Sequence, residues 1–127
     1  MTSSCKSLVE SFEAHDLDSG KFHHAEHVGV AYEMLRKYEF LKATVKYAEN
    51  IKIIATKAGA ANKFNVTITL AFMSLIAERM GAGQYRSYDE FIAQNRDLLT
   101  SDVLAKWYSS QRLTCDLARD VFLMPDR

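Results

Sequence analysis

The chain has 127 residues, of which 48% are hydrophobic and 25% are charged, a composition typical of a folded globular protein and not of a disordered one. This length fits one domain, residues 1–127, with a single ordinary core. Lys and Arg together number 16, as do Asp and Glu, so the net charge of zero argues against nucleic acid or an anionic membrane as a partner.

Apolar residues recur at helical spacing along the chain, and its one proline, Pro125, lies near the end. The pattern predicts an all-α fold, a single-domain bundle of about six or seven helices. A turn is expected over Asp16–Gly20. The predicted helices, in chain order, are about Ser4–Ala14, His23–Tyr38, Glu39–Ala58, Lys63–Met80, Ser87–Arg96, Val103–Tyr108 and Gln111–Phe122, with Ser101 or Asp102 as the start of the sixth. Helical spacing predicts that Leu8, Val9 and Phe12 of the first helix and Val121 and Phe122 of the last point inward, and that Glu33 lies on the outer face of the second.

The third and fourth predicted helices have the most pronounced apolar faces. One face of the third carries seven apolar residues, Phe40, Ala43, Tyr47, Ile51, Ile54, Ala55 and Ala58. The fourth is apolar almost all round, which is typical of a central helix, and Asn62 is its predicted N-cap. Thr67, Ser74 and Glu78 form its polar stripe. Asn65 and Thr69 fall beside an apolar arc instead and are candidate buried polar groups.

Three of the four histidines, His23, His24 and His27, lie within five residues at the start of the second helix. On a helical projection, His24 and His27 fall inside the apolar arc of that helix. We therefore expect these two side chains to be largely buried and His15 to be exposed. A buried imidazole needs a polar partner, which could be a metal ion, a ligand or another side chain.

Two functional interpretations of the cluster and one structural interpretation remain open. In the first, His24 and His27 chelate a divalent transition metal, with further ligands from other segments such as Asp16, Asp18 or Glu78. In the second, His24, His27, Asn65 and Thr69 bind a small polar ligand, with His27 as a catalytic acid or base. In the third, the histidines are structural, and Asn65 only caps its helix.

The ligand-binding interpretation predicts a particular arrangement of two helices. The second and fourth helices should pack so that His24 and His27 meet Asn65 and Thr69, within hydrogen-bond or single-water reach. The physical reason is that buried polar side chains are most cheaply satisfied when they lie together.

The cysteines and the N-terminus favour a cytoplasmic location. Cys5 and Cys115 lie at opposite ends of the chain without a CxxC spacing, as expected of reduced thiols. No stretch of about 18 apolar residues is present, and residues 1–6 lack the apolar region of a secretory signal.

Three segments resemble a family of small bacterial all-helical proteins of unknown function. The first is Phe22-His23-His24-Ala25-Glu26-His27-Val28, and the second is Phe64-Asn65-Val66-Thr67-Ile68-Thr69. The third is a tail comprising Tyr108-Ser109, Leu113, Ala118-Arg119, Phe122 and Pro125-Asp126. The resemblance covers nearly the whole chain and implies a helical fold, but it brings no activity with it.

The chain departs from the family pattern at one position of the proposed site. The resemblance implies a histidine where this chain has Asn65, and an amide oxygen is a weak ligand for metals that prefer nitrogen. The departure favours a small polar ligand over a metal. The alternative is a non-enzymatic interaction protein, or one that forms a homo-oligomer, whose histidines are structural.

Overall fold

The computed structural model describes the backbone of residues 2–15 and 23–127 and the side chains of residues 8–15 and 23–127. Those ranges contain seven α-helices and no strand, so the predicted all-α fold is confirmed. The predicted turn over Asp16–Gly20 lies outside the described residues. The helices are α1 (Thr2–Glu13), α2 (His24–Lys37), α3 (Phe40–Lys57), α4 (Val66–Gly81), α5 (Tyr88–Gln94), α6 (Ser110–Thr114) and α7 (Asp116–Asp120).

Three short 3-10 segments, Ala61–Lys63, Arg96–Leu99 and Val103–Lys106, connect the later helices. The last two replace the end of the predicted fifth helix and most of the predicted sixth. Ser87 caps α5 by accepting a hydrogen bond from the Glu90 amide, as its capping-box spacing predicts.

Helix α2 lies at the centre of the packing, in contact with α1, α3, α4 and α5. Its inward side chains include Val28, Ala31 and Met34, none of which is exposed to solvent. Glu33 was predicted on the outer face but is only 7% exposed, because α1 packs closely against this helix. The predicted buried face of α1 is confirmed at Val9 and Phe12.

The start of α4 differs from the prediction. Asn65, not Asn62, is the N-cap, and its side-chain oxygen accepts a hydrogen bond of 2.8 Å from the Ile68 amide. Asn62 belongs instead to the preceding 3-10 segment. Two candidate caps three residues apart are difficult to distinguish by pattern alone, since both precede apolar residues.

The predicted last helix, Gln111–Phe122, is wrong in its length and continuity. The chain forms α6 and α7 with extended backbone at Cys115 between them, and the helix ends before Val121. Val121 and Phe122, predicted to point inward, are exposed. The helix ends early because Thr67, distant in sequence, bonds to the backbone of this segment in place of helical hydrogen bonds. Its hydroxyl donates to the Val121 carbonyl and accepts from the Leu123 amide.

A helix that crosses a membrane must be both long and apolar. Among the described residues, no helix is both long and apolar enough to cross a bilayer.

Candidate functional site

A pocket of about 320 Å³ opens between α2, α3 and α4, and all four predicted site residues line it. His24 and His27 come from the first turns of α2, whereas Asn65 and Thr69 come from the N-cap and first turns of α4. The volume is at the lower end of the roughly 300–1,000 Å³ that ligand pockets span. The pocket is therefore of a size for a small molecule.

Most of the pocket wall is apolar. Its apolar lining residues are contributed mainly by α3, α4 and the two adjoining 3-10 segments: Ile51, Ile54, Ala55, Ala60, Phe64, Ile68, Phe72, Val103 and Leu104. The remaining lining residues besides the predicted four are Tyr47, Lys63 and Ser101. An apolar wall with a few polar groups is the usual composition of a small-molecule site.

The histidines lie at the lip of the pocket and are not enclosed in the core. His24 and His27 are half-buried, so the prediction that they are largely buried is wrong in degree. Their position in the first turns of α2, beside an open pocket, explains the remaining exposure. His15 is exposed, as predicted.

The tautomer of His24 follows from its hydrogen bond. Its Nε2 lies 2.9 Å from the Leu98 carbonyl oxygen, which can only accept, so Nε2 carries the hydrogen. The neutral ring then has its lone pair on Nδ1. The ring also packs at 5.4 Å, centroid to centroid, from the ring of Phe72. The bond and the packing together fix the orientation of an imidazole that can still accept a hydrogen bond or a proton.

Asn65 and Thr69 are held by bonds to the backbone. Besides capping α4, Asn65 donates from Nδ2 to the Leu113 carbonyl at 2.7 Å, which leaves its second N–H for another acceptor. The Thr69 hydroxyl donates to the Asn65 carbonyl at 2.7 Å, so its oxygen remains as an acceptor. The capping interpretation of Asn65 is thus correct, and capping leaves part of the amide for a ligand.

The four predicted residues share one pocket, but the hydrogen bonds described for His24, Asn65 and Thr69 run to backbone atoms and not to one another. Packing of α2 against α4 accounts for their common location. The Nδ1 atom of His24, the second N–H of Asn65 and the hydroxyl oxygen of Thr69 are not used in these bonds.

Tyr47 forms the inner part of the pocket wall. Its hydroxyl lies 3.5 Å from the His27 carbonyl oxygen, a long hydrogen bond. Burial raises the pKa of the Tyr47 phenol well above its ordinary value, because the charged phenolate is poorly solvated there. The phenol is a neutral donor at physiological pH.

Within the part of the chain that the structure describes, no ligand set for a transition metal accompanies the histidines. Such ions are held by three or four His, Cys, Asp or Glu ligands, and residues 8–15 and 23–127 contain no cluster of three. Glu78 lines a different pocket, against Trp107 and Pro125. Asp16 and Asp18, the other suggested ligands, lie outside the described residues.

Sequence reasoning missed Lys63, Ser101 and part of the α3 wall. Ile51, Ile54 and Ala55 were assigned to the core face of the third helix, and they do face inward but are half-buried at the pocket. The sequence predicts Lys63 as the first residue of a helix and Ser101 as the start of another. Their place at the pocket depends on how distant segments pack, for which no local pattern gives a signal.

Comparison of the chain with models of protein families, with curated proteins and with solved structures found no match. The resemblance to small bacterial helical proteins therefore stays a prediction.

Proposed function

We propose that the protein binds a small polar ligand in the pocket between α2, α3 and α4. The observation that carries the proposal is that His24, His27, Asn65 and Thr69, from two separate helices, line one pocket. Pockets that combine an apolar wall with a few oriented polar groups are the usual sites of small-molecule binding. We also propose that the protein is cytoplasmic, as its sequence predicts, and bacterial, as the family resemblance implies.

The same proposal gives His27 a chemical role. His27 lines the same pocket as Thr69, whose hydroxyl oxygen can accept, and Asn65, whose second N–H can donate. Histidine is the side chain whose ordinary pKa best suits proton transfer near neutral pH. We propose His27 as the acid or base if the bound molecule reacts.

A fragment screen read out on the histidine rings tests this proposal. We would titrate the protein with a library of small polar fragments and follow the ring proton signals of its four histidines by NMR. Binding in the pocket shifts the signals of His24 and His27. His23 and His15 are exposed and do not line the pocket, so their signals serve as controls in the same sample.

The screen also has a clear contradicting result. If no fragment shifts His24 or His27, or if every shift is matched at His23 and His15, the pocket does not bind small molecules. The histidines would then be structural.

A second function, self-association, is favoured by an exposed apolar patch near the C-terminus. Leu117 is 57% exposed and Met124 67% exposed, with Val121 and Phe122 between them also exposed. Adjacent exposed apolar side chains of this kind mark interaction surfaces. We propose a homo-oligomer through this patch as the alternative to ligand binding.

Light scattering coupled to size-exclusion chromatography, run at several protein concentrations, tests the alternative. Wild-type protein should show a mass that rises with concentration above that of one chain, and Leu117→Gln with Met124→Gln should abolish the rise. A wild-type mass of one chain at all concentrations would contradict self-association.

A further inference from the structure

The ionisable side chains that line the pocket are basic, apart from the Tyr47 phenol. Three lining residues carry basic groups, His24, His27 and Lys63, whereas no Asp or Glu among the described residues lines the pocket. This differs from the chain as a whole, in which acidic and basic residues are equal in number. The imbalance favours an anionic ligand.

Among the described residues, Lys63 forms no ion pair. The ion pairs of the described residues involve five other cations, Lys37, Arg79, Arg86, Lys106 and Arg119. Lys63 is exposed, and it belongs to the 3-10 segment at the edge of the pocket. Its ammonium can therefore reach a bound anion without first breaking a salt bridge.

The N-terminus of α4 adds to the positive potential, because its first turn has no acidic residue, whereas Glu26 in the first turn of α2 offsets the dipole of that helix. The first turns of α2 and α4, helices of 14 and 16 residues, both contribute lining residues. The partial positive charge of a helix dipole is concentrated at that end. The remaining Asn65 N–H is a further donor at the start of α4.

The apolar lining of the pocket suits an apolar group. Ile51, Ile54, Phe64, Ile68 and Phe72 are among the lining residues. A fully hydrophilic anion would leave this surface wet, whereas an anion with an apolar body would cover it.

We propose that the ligand of this pocket is a small organic monoanion, a carboxylate with an apolar body. This inference rests on the proposed function and adds its ligand class. The carboxylate contacts Lys63 and the histidines, and the apolar body covers the isoleucines and phenylalanines of the lining. A carboxylate fits better than a doubly charged phosphate ester, because Lys63 is the one permanently charged cation among the described lining residues.

Three probes of nearly the same shape separate charge from size. Phenylacetate is an anion, phenylacetamide is its neutral analogue, and phenethylamine is a cation. We would measure their dissociation constants from the ring signals of His24 and His27. We expect phenylacetate to bind about tenfold more tightly than phenylacetamide, because charge-assisted hydrogen bonds are about twice as strong as neutral ones. Phenethylamine should bind most weakly.

A lysine variant tests the anion contact. Lys63→Met keeps a long apolar side chain at an exposed position, so the fold should persist. It should reduce the preference for phenylacetate over phenylacetamide to about threefold or less, without weakening phenylacetamide. Lys52→Met is the matched control, since Lys52 is exposed on α3 and does not line the pocket.

Several results would overturn the ligand class. These are equal binding of phenylacetate and phenylacetamide, tighter binding of phenethylamine, no binding of any of the three probes, or an unchanged preference in Lys63→Met. Tighter binding of phenyl phosphate than of phenylacetate would also overturn it, in favour of a phosphate ligand. In each case the fragment screen above still decides the proposed function independently, since its library is not limited to these charges or shapes.

Discussion

Asn65 links the start of α4 to the C-terminal part of the chain. Its side-chain oxygen caps α4 at the Ile68 amide, and its amide nitrogen donates to the Leu113 carbonyl. The residue therefore supports both the pocket wall and the packing of α6.

Substitution of Asn65 separates these two contributions. Asn65→Leu removes both bonds and should lower the free energy of unfolding by about 2 kcal/mol. Asn65→Ser can still cap the helix but not reach Leu113, so it should cost about 1 kcal/mol. Urea denaturation measures both. Lys52→Leu, an exposed control on α3, should stay within about 0.5 kcal/mol of wild type.

The same variants test the connection between Asn65 and the histidines. The ligand-binding account predicts that Asn65→Leu also changes the titration of His24 or His27, because all three line one pocket. An Asn65→Leu protein with unchanged stability and unchanged histidine titration would contradict the account at this residue.

At the scale of elements, one buried hydroxyl holds the non-helical C-terminal segment against α4. Thr67 has no exposed surface, and its hydroxyl donates to the Val121 carbonyl at 2.7 Å and accepts from the Leu123 amide at 3.0 Å. The Tyr108 hydroxyl adds a bond to the Leu123 carbonyl. The segment is thus tied to the bundle by side chains and not by helix formation.

Thr67→Val tests this tie with almost no change of shape. It leaves the Val121 carbonyl and Leu123 amide without their partner, so stability should fall by about 1–3 kcal/mol. Amide exchange at Leu123 should accelerate. Thr114→Val is the control, because its hydroxyl bonds only to Ser110 within α6 and is exposed. Unchanged exchange at Leu123 would show that other contacts hold the segment.

Helix α4 is also joined to the 3-10 segment Arg96–Leu99 by an ion pair. Arg79 donates to both carboxylate oxygens of Asp97, at 2.9 and 2.8 Å, and Lys106 reaches the same carboxylate at 3.2 Å. These contacts, chiefly the hydrogen bonds from Arg79, hold the pKa of Asp97 well below its ordinary value.

The lowered pKa makes this contribution to stability dependent on pH. The unfolded chain binds a proton at Asp97 near pH 4 and the folded chain only at lower pH, so the contribution is complete above about pH 5 and is lost as the pH falls towards the folded pKa. Asp97→Asn should therefore cost at most about 1 kcal/mol at pH 7 and less at pH 3. Urea denaturation at both pH values checks this. An equal loss of unfolding free energy at the two pH values would contradict this account. So would the same pattern of loss in the exposed control Asp120→Asn.

At the scale of the whole molecule, the bundle was predictable because helical periodicity is local. The apolar face of α2 and the middle of the inward side of α3 could be read from spacing alone, and His24 and His27 do line the pocket. The prediction for α3 is wrong at its ends, where Phe40 and Ala58 are exposed because no neighbouring helix in the described part of the chain covers them. The extent to which the His24 and His27 side chains are buried could not be predicted from spacing, since it depends on whether neighbouring helices cover the first turns of α2. The end of α7 and the place of Lys63 were also beyond local patterns, because contacts distant in sequence determine both.

The central claim is that the pocket between α2, α3 and α4 is a ligand site, and filling it with protein tests that claim most directly. Ala55 is half-buried and lines the pocket, whereas Ala58, three residues later on the same helix end, is exposed and does not. Ala55→Trp and Ala58→Trp therefore add the same side chain inside and outside the pocket.

The measurement is the shift of the His24 and His27 ring signals on addition of phenylacetate, phenylacetamide and phenethylamine, which together cover all three charge states. The account predicts that at least one probe shifts both signals in wild type and in Ala58→Trp, and that Ala55→Trp loses the shift while remaining folded by circular dichroism. Shifts that persist unchanged in Ala55→Trp, or no shift in wild type with any of the three probes or any fragment of the screen, would contradict it.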